Sequence, residues 1–251
     1  MKINCLYKFG LLFLALIVVS SCASKKDMIY FQNDETISNE LYKNYAPKIQ
    51  TADILSITVS AREPEAVQAY NLYQGGGQTT STKPITYLVD NQGDITFPEL
   101  GKIKVSGMTT NELKEGLITK LKVFITNPIV TIRLENFRVS ILGEVKSPGP
   151  YNLENEKVSI PEALAMAGDL TIQGKRKNIL LLRTTGDKVE SIRLDLTDKS
   201  LFKSPYFYLA QNDIVYVEPN KAKVNSSAIG TTSSLISIAS ALLSLVLILT
   251  R

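Results

Sequence analysis

The chain has 251 residues, enough for one large or two ordinary domains with a sizeable core. Its formal charge is +4, and Lys2 and Lys8 lie in a leader-like start, so the remainder carries about +2, too little and too evenly mixed with acids for nucleic acid. It contains no histidine, which excludes Ser-His-Asp and Cys-His catalysis and His-based metal sites. Tryptophan is absent too, which weakens any deep sugar-stacking cleft. The two cysteines, Cys5 and Cys22, both stand near the N-terminus and leave no disulfide or thiolate framework downstream.

Lys2 and Lys8 flank a short n-region, and Phe9 to Val19 is an apolar run of signal-peptide length. It ends in Val19-Ser20-Ser21-Cys22, a branched apolar residue, two small residues and a cysteine, which resembles the bacterial lipobox. On that reading 1–21 is a lipoprotein signal peptide and Cys22 the lipidated first mature residue, its several acyl chains anchoring far better than one. The plainer alternative is an ordinary signal peptide with an incidental cysteine. Ala23 rather than aspartate follows, which resembles sorting to the outer membrane. Residues 22–44 are polar and read as a partly extended tether.

Residues 45–135 form a first unit. Ile54 onward alternates as a strand entered through a turn at Ala52-Asp53. Gln74 to Pro84 is a Gly/Ser/Thr-rich loop. Tyr87 to Asp90 and Ile95 to Pro98 read as a hairpin with Gly93 in its turn, and Leu100 to Val105 as a further short strand. Thr109 or Thr110 caps a helix, with Glu112 three residues after Thr109 as in a capping box, and Leu113, Leu117, Ile118 and Leu121 give it one apolar face. Ile129 to Leu134 alternates as the closing strand.

Residues 136–220 form a second. A strand ends at Gly143, and Ser147-Pro148-Gly149-Pro150 turns the chain into Tyr151. Ser159 caps a helix with Pro161 in its first turn, apolar at Ile160, Ala163, Leu164 and Ala167, and stopped at Gly168. Ile179 to Arg183 and Val189 to Leu194 read as a hairpin, and Ile214 to Val217 as the last strand before Pro219. One helix on a small sheet suggests a β-grasp-like unit.

Residues 221–251 end the chain, and Ser226 to Thr250 carries no charge. A helix over Ile229 to Thr250 would be about 33 Å long, enough to span a membrane. At 100° per residue, Gly230, Ser233, Ser234, Ser237, Ser240, Ala241 and Ser244 share an arc of roughly 120°. Leu235, Ile238, Leu242, Leu245, Val246 and Leu249 oppose them, and Ile248 alone intrudes on the small face. Small residues four apart allow close helix packing; a ring of such helices would instead line a lumen with serines.

The order Ala52-Asp53-Ile54-Leu55, Val89-Asp90, Gly93-Asp94-Ile95, Pro98, Gly101, Val105-Ser106-Gly107-Met108-Thr109, Glu112 and Asn127-Pro128-Ile129-Val130 resembles the bacterial polysaccharide export domain. Val139, Gly143-Glu144-Val145, Pro148-Gly149, Tyr151, Glu162-Ala163-Leu164 and Ala167-Gly168 are similar to the SLBB domain that follows it. Two positions depart from the pattern: Thr51-Ala52 stands for a common Pro-Gly, and Ala167-Gly168-Asp169 for Ala-Gly-Gly. Only one SLBB unit is evident, where the best-known Wza-type members have two.

The resemblance implies an α+β fold of two small mixed domains followed by an amphipathic transmembrane helix. It also implies an outer-membrane lipoprotein that assembles into a homo-oligomeric ring and exports capsular or exopolysaccharide. The expected partners are that polysaccharide, outer-membrane lipid and an inner-membrane polysaccharide co-polymerase, with neither cofactor nor metal.

Asp53, Asp90 and Asp94 are possible carboxylate catalysts, but turn aspartates are mostly local backbone acceptors. Gly143, Gly149 and Gly168 lack phosphate-loop spacing and fit turns and helix stops better. Pro205-Tyr206-Phe207-Tyr208 reads as a strand or subunit contact before a sugar-stacking platform. Lys175-Arg176-Lys177 reads as a solvated loop, with a lumen-facing ring that attracts acidic polysaccharide as the alternative. A channel subunit is therefore expected ahead of a glycan-binding or adaptor lipoprotein, and a hydrolase last.

Overall fold

The computed structural model describes residues 25–32, 45–73, 84–186 and 188–226. Alternation along Ile54–Ser60 (β1) buries Leu55, Ile57 and Val59 and leaves Ser56 and Thr58 half-buried. β1 is the middle strand of a three-stranded antiparallel sheet, between Thr86–Leu88 (β2) and Ile129–Leu134 (β5). Asp94–Phe97 (β3) and Gly101–Lys104 (β4) form a separate two-stranded hairpin.

The hairpin expected between Tyr87–Asp90 and Ile95–Pro98 does not form. Its turn exists, closed by the Asp90 N–H donating to Asp94 O at 2.9 Å, but the strands on either side take different partners. Tyr87 and Phe97 both point into one core, with ring centroids 5.4 Å apart, so β2 and β3 meet through side chains rather than along their edges.

Thr110–Leu121 (α1) starts at a capping box: Thr109 Oγ1 accepts from Glu112 N at 3.2 Å, and Glu112 Oε2 accepts from Thr109 N at 2.8 Å. Leu113, Leu117 and Leu121 are buried, each contributing about 1.5–3 kcal/mol.

The second domain contains Arg138–Gly143 (β6), Gly149–Asn152 (β7), Ile160–Met166 (α2), Gly174–Thr185 (β8), Lys188–Leu194 (β9) and Ile214–Pro219 (β10). Its sheet runs β7-β6-β10-β8-β9, with β10 parallel to β6 and antiparallel to β8. Val215 and Val217 of the central strand are wholly buried, and α2 lays Ile160, Ala163 and Leu164 into the same core. Gly143 pairs with Val217 at φ 91°, and a Cβ there would stand 2.0 Å from Val217 O. Only glycine fits that approach.

Each domain has its own core, and Leu134 packs against both. The α+β class with small mixed sheets agrees with the sequence. Among the described residues no helix is long and apolar enough to cross a membrane. Residues 221–226 are helical. Cys22, the span Ile229 to Thr250, and with it Gly230, Ser233, Ser234, Ser237, Ser240, Ala241 and Ser244, lie outside the described residues.

Candidate functional site

Part of the expected tether, residues 25–32, lies against the second domain. Phe31 N donates to Leu196 O at 3.1 Å and Gln32 N to Thr197 O at 2.8 Å. The Tyr30 hydroxyl donates to Asp169 Oδ1 at 2.7 Å, and Asp27 pairs with Lys177 at 2.7 Å. Phe31, Phe202, Phe207, Tyr208 and Tyr45 form a chain of rings, each centroid 4.9–5.0 Å from the next. Burial, reinforced by Asp169, raises the Tyr30 hydroxyl well above its ordinary pKa, and burial pushes Tyr45 up to about 12. Within the expected partly extended tether, 25–32 is therefore docked: Tyr30 and Phe31 stand out in a polar stretch, and their packing offsets the entropy of ordering the chain.

Strand β8 begins at Gly174, five residues before the expected Ile179, and so takes in Lys175-Arg176-Lys177. This corrects the solvated-loop reading. Strand alternation leaves Lys175 partly exposed and Lys177 exposed and sends Arg176 inward, where it is only 8% exposed. Lys175 pairs with Glu218 at 3.0 Å. Arg176 Nη1 donates to Gly174 O at 3.0 Å and Thr171 O at 3.4 Å, and its guanidinium lies 5.5 Å from the Tyr30 ring centroid. Arg176 Nε is buried with no hydrogen-bond partner.

Around Arg176 is a cavity of about 480 Å³ bounded by Asp27 and Met28, by Ile172 and the start of β8, and by Asn220, Lys221 and Ala222. The N-terminal segment and the start of the C-terminal one therefore meet at one edge of the second domain. Asn220 N donates to Gln173 O at 2.7 Å, and Lys223 stands 3.7 Å from Glu144. Arg193 and Lys175 hold the Glu218 carboxyl down at about 2, which keeps it charged across the physiological range.

The other singled-out residues do local work. Asp53 is buried, its Oδ2 accepting from Gln50 N at 2.8 Å while Oδ1 has no partner. Burial pushes its carboxyl up to about 6 against the pull of the Gln50 N–H and the Gln211 side chain. Asp90 Oδ1 accepts from the Gln92 and Asp94 N–H groups, the latter lowering its pKa most, and Asp94 faces Lys104 at 4.0 Å. Gly168, at φ 76°, follows the end of α2, and Gly149 opens β7. Phe207 and Tyr208 are core residues, neither strand nor platform, because they continue the ring chain from Phe202. Among the described residues no cluster of three or more His, Cys, Asp or Glu forms a metal site.

Two small α+β domains lie in series, with residues 27–28 and 220–222 brought to one edge of the second. Residues 41–135 match the polysaccharide biosynthesis/export protein family and residues 137–217 the SLBB domain. The chain is 33% identical over 184 residues to the EPS I polysaccharide export outer membrane protein EpsA of Ralstonia nicotianae, covering 68% of this chain and 47% of that one. It is 25% identical over 195 residues to the capsule polysaccharide export outer membrane protein CtrA of Neisseria meningitidis serogroup A, covering 74% and 48%. The chain belongs to the polysaccharide export family in its Wza-like arrangement of export domain then SLBB domain. This is a family of transport components rather than enzymes. The chain spans about half the length of these curated relatives.

Proposed function

We propose that the chain is the subunit of an outer-membrane channel for capsular or exopolysaccharide, anchored by lipid on Cys22. It forms a homo-oligomeric ring whose C-terminal helices line the pore, above an inner-membrane polysaccharide co-polymerase. The observation that carries this is the meeting of the two ends: Asp27 and Met28 share a cavity wall with Asn220 to Ala222. Cys22 stands three residues before Lys25, a reach of at most about 11 Å. The uncharged segment, Ser226 to Thr250, follows closely on Asn220 to Ala222 and Lys223. A lipid on one end and a membrane helix on the other would then hold the same edge of the second domain to the same bilayer.

The mechanism requires no covalent chemistry. A ring multiplies the face of Ser233, Ser237, Ser240 and Ser244 into a neutral, wettable lumen, and turns Leu235, Leu242 and Leu249 to lipid. Hydroxyl groups exchange hydrogen bonds with a passing sugar chain without charge to retain it. Purified full-length oligomer in a planar bilayer should conduct. Ser237→Leu with Ser240→Leu should block conductance and export while the oligomer stays intact. An oligomer of verified size that never conducts would overturn the channel. The four-residue spacing of small residues favours a second reading, an adaptor lipoprotein whose helices only pack; there the same double substitution abolishes oligomerisation instead.

A further inference from the structure

We infer that the cavity around Arg176 binds the phosphodiester headgroup of an anionic phospholipid. The inference rests on the anchoring proposed above, because it needs this edge to face a bilayer, but it concerns a ligand which that reading does not include.

Charge argues first. The strand neighbours of Arg176 are neutralised, Lys175 by Glu218 and Lys177 by Asp27. Arg176 and Lys221 line the same cavity and form no ion pair among the described residues. Arg176 is 8% exposed and its Nη1 is held by two carbonyl oxygens, so its charge sits in the cavity lining with no carboxylate neutralising it among the described residues, a placement that an anion in the cavity would favour. A planar guanidinium suits a phosphate oxygen pair, and the exposed Lys221, which lines the same cavity, supplies a point charge.

Shape and surroundings select a lipid over a free anion. A volume of about 480 Å³ exceeds what inorganic phosphate fills and suits a phosphate with its glycerol attached. The rim carries Ile172, 70% exposed, beside Met28, an apolar lip positioned for the first carbons of an acyl chain. Asp27 and Met28 on one side of the sequence and Asn220 to Ala222 on the other line this cavity, so on the anchoring proposed above it would open toward the headgroup region.

Full-length protein in detergent micelles should retain one dioleoylphosphatidylglycerol per subunit by native mass spectrometry, with a saturable rise in melting temperature. Lys221→Glu, at an exposed position, should leave the lipid-free melting temperature unchanged and raise the half-saturating lipid concentration about tenfold. Arg176→Lys keeps the charge but loses the fork and should bind more weakly than wild type. Equal phosphatidylglycerol binding by wild type and both variants overturns the site. Dioleoylphosphatidylcholine binding as tightly, or inorganic phosphate displacing the lipid, overturns the anionic-lipid assignment. A protein that conducts without binding phosphatidylglycerol refutes this site alone; one that binds the lipid but never conducts refutes the channel alone.

Discussion

Ala52 and Asp169 both sit in left-handed backbone, at φ 68°, where a Cβ crowds the carbonyl and glycine would be relaxed. They are also the two places where the sequence leaves the family's glycines. Asp169 offsets its strain through Oδ1, which accepts from Tyr30 OH and from Leu170 N, each at 2.7 Å. Ala52 is held by its flanks, its N–H on Val89 O at 2.9 Å and its carbonyl under Asn136 Nδ2 at 3.0 Å. Beside it, Asp53 binds more protons folded than unfolded between its ordinary 3.8 and about 6. Its contribution to stability is therefore fully present below pH 4 and lost as pH rises through 6. Thermal melts of wild type and Asp53→Asn should diverge over that window by up to about 3 kcal/mol, the asparagine variant gaining relatively at neutral pH. A difference that stays constant from pH 4 to 7 would refute the buried, proton-taking role. The turn at Asp53 was legible in the sequence, but its burial was not, since that depends on the second domain packed beyond it.

At the scale of elements, the capped helices were legible because every part of a capping box lies within four residues. The docked segment 25–32 was not, because its partners are far along the chain: Tyr30 and Asp169 are 139 residues apart. The same distance makes this contact separable from the fold of the domain. Tyr30→Phe keeps the ring and removes one hydrogen bond, a loss of about 1 kcal/mol. Hydrogen exchange at the Phe31 and Gln32 amides should then quicken roughly fivefold, with the β10 amides unchanged. Unaltered exchange at those two amides would mean that the rings alone hold the segment. Arg176 follows the same logic. A basic tripeptide reads as a loop until β8 is seen to start at Gly174, after which alternation must bury its middle residue.

For the whole molecule, the joint between domains is polar as well as apolar. Asn136 Oδ1 accepts from Ile54 N at 2.9 Å, and Gln211 Nε2 donates to Asn136 O at 2.8 Å while its Oε1 accepts from Arg138 N at 2.9 Å. Thr110 Oγ1 adds a bond to Glu156 at 2.9 Å. Asn136 thus ties the first strand of one domain to the last turn of the other. Asn136→Ala would orphan the Ile54 N–H and cost about 1–3 kcal/mol. Calorimetry should show the two domains melting further apart in temperature than in wild type. An unshifted single transition would mean that Leu134 and the remaining bonds couple them without the Asn136 side chain.

Strand faces, helix caps, the order of the two domains, the lipobox-like cysteine and the uncharged closing segment were determined by the sequence alone, because each is written within a single turn, strand or run. Tertiary structure decided which strands pair across the first core, the burial of Arg176, the docking of Tyr30 and Phe31, and the meeting of residues 27–28 with 220–222 at one edge. Those outcomes depend on desolvation by residues distant in sequence, and periodicity within a window carries no record of what will cover it.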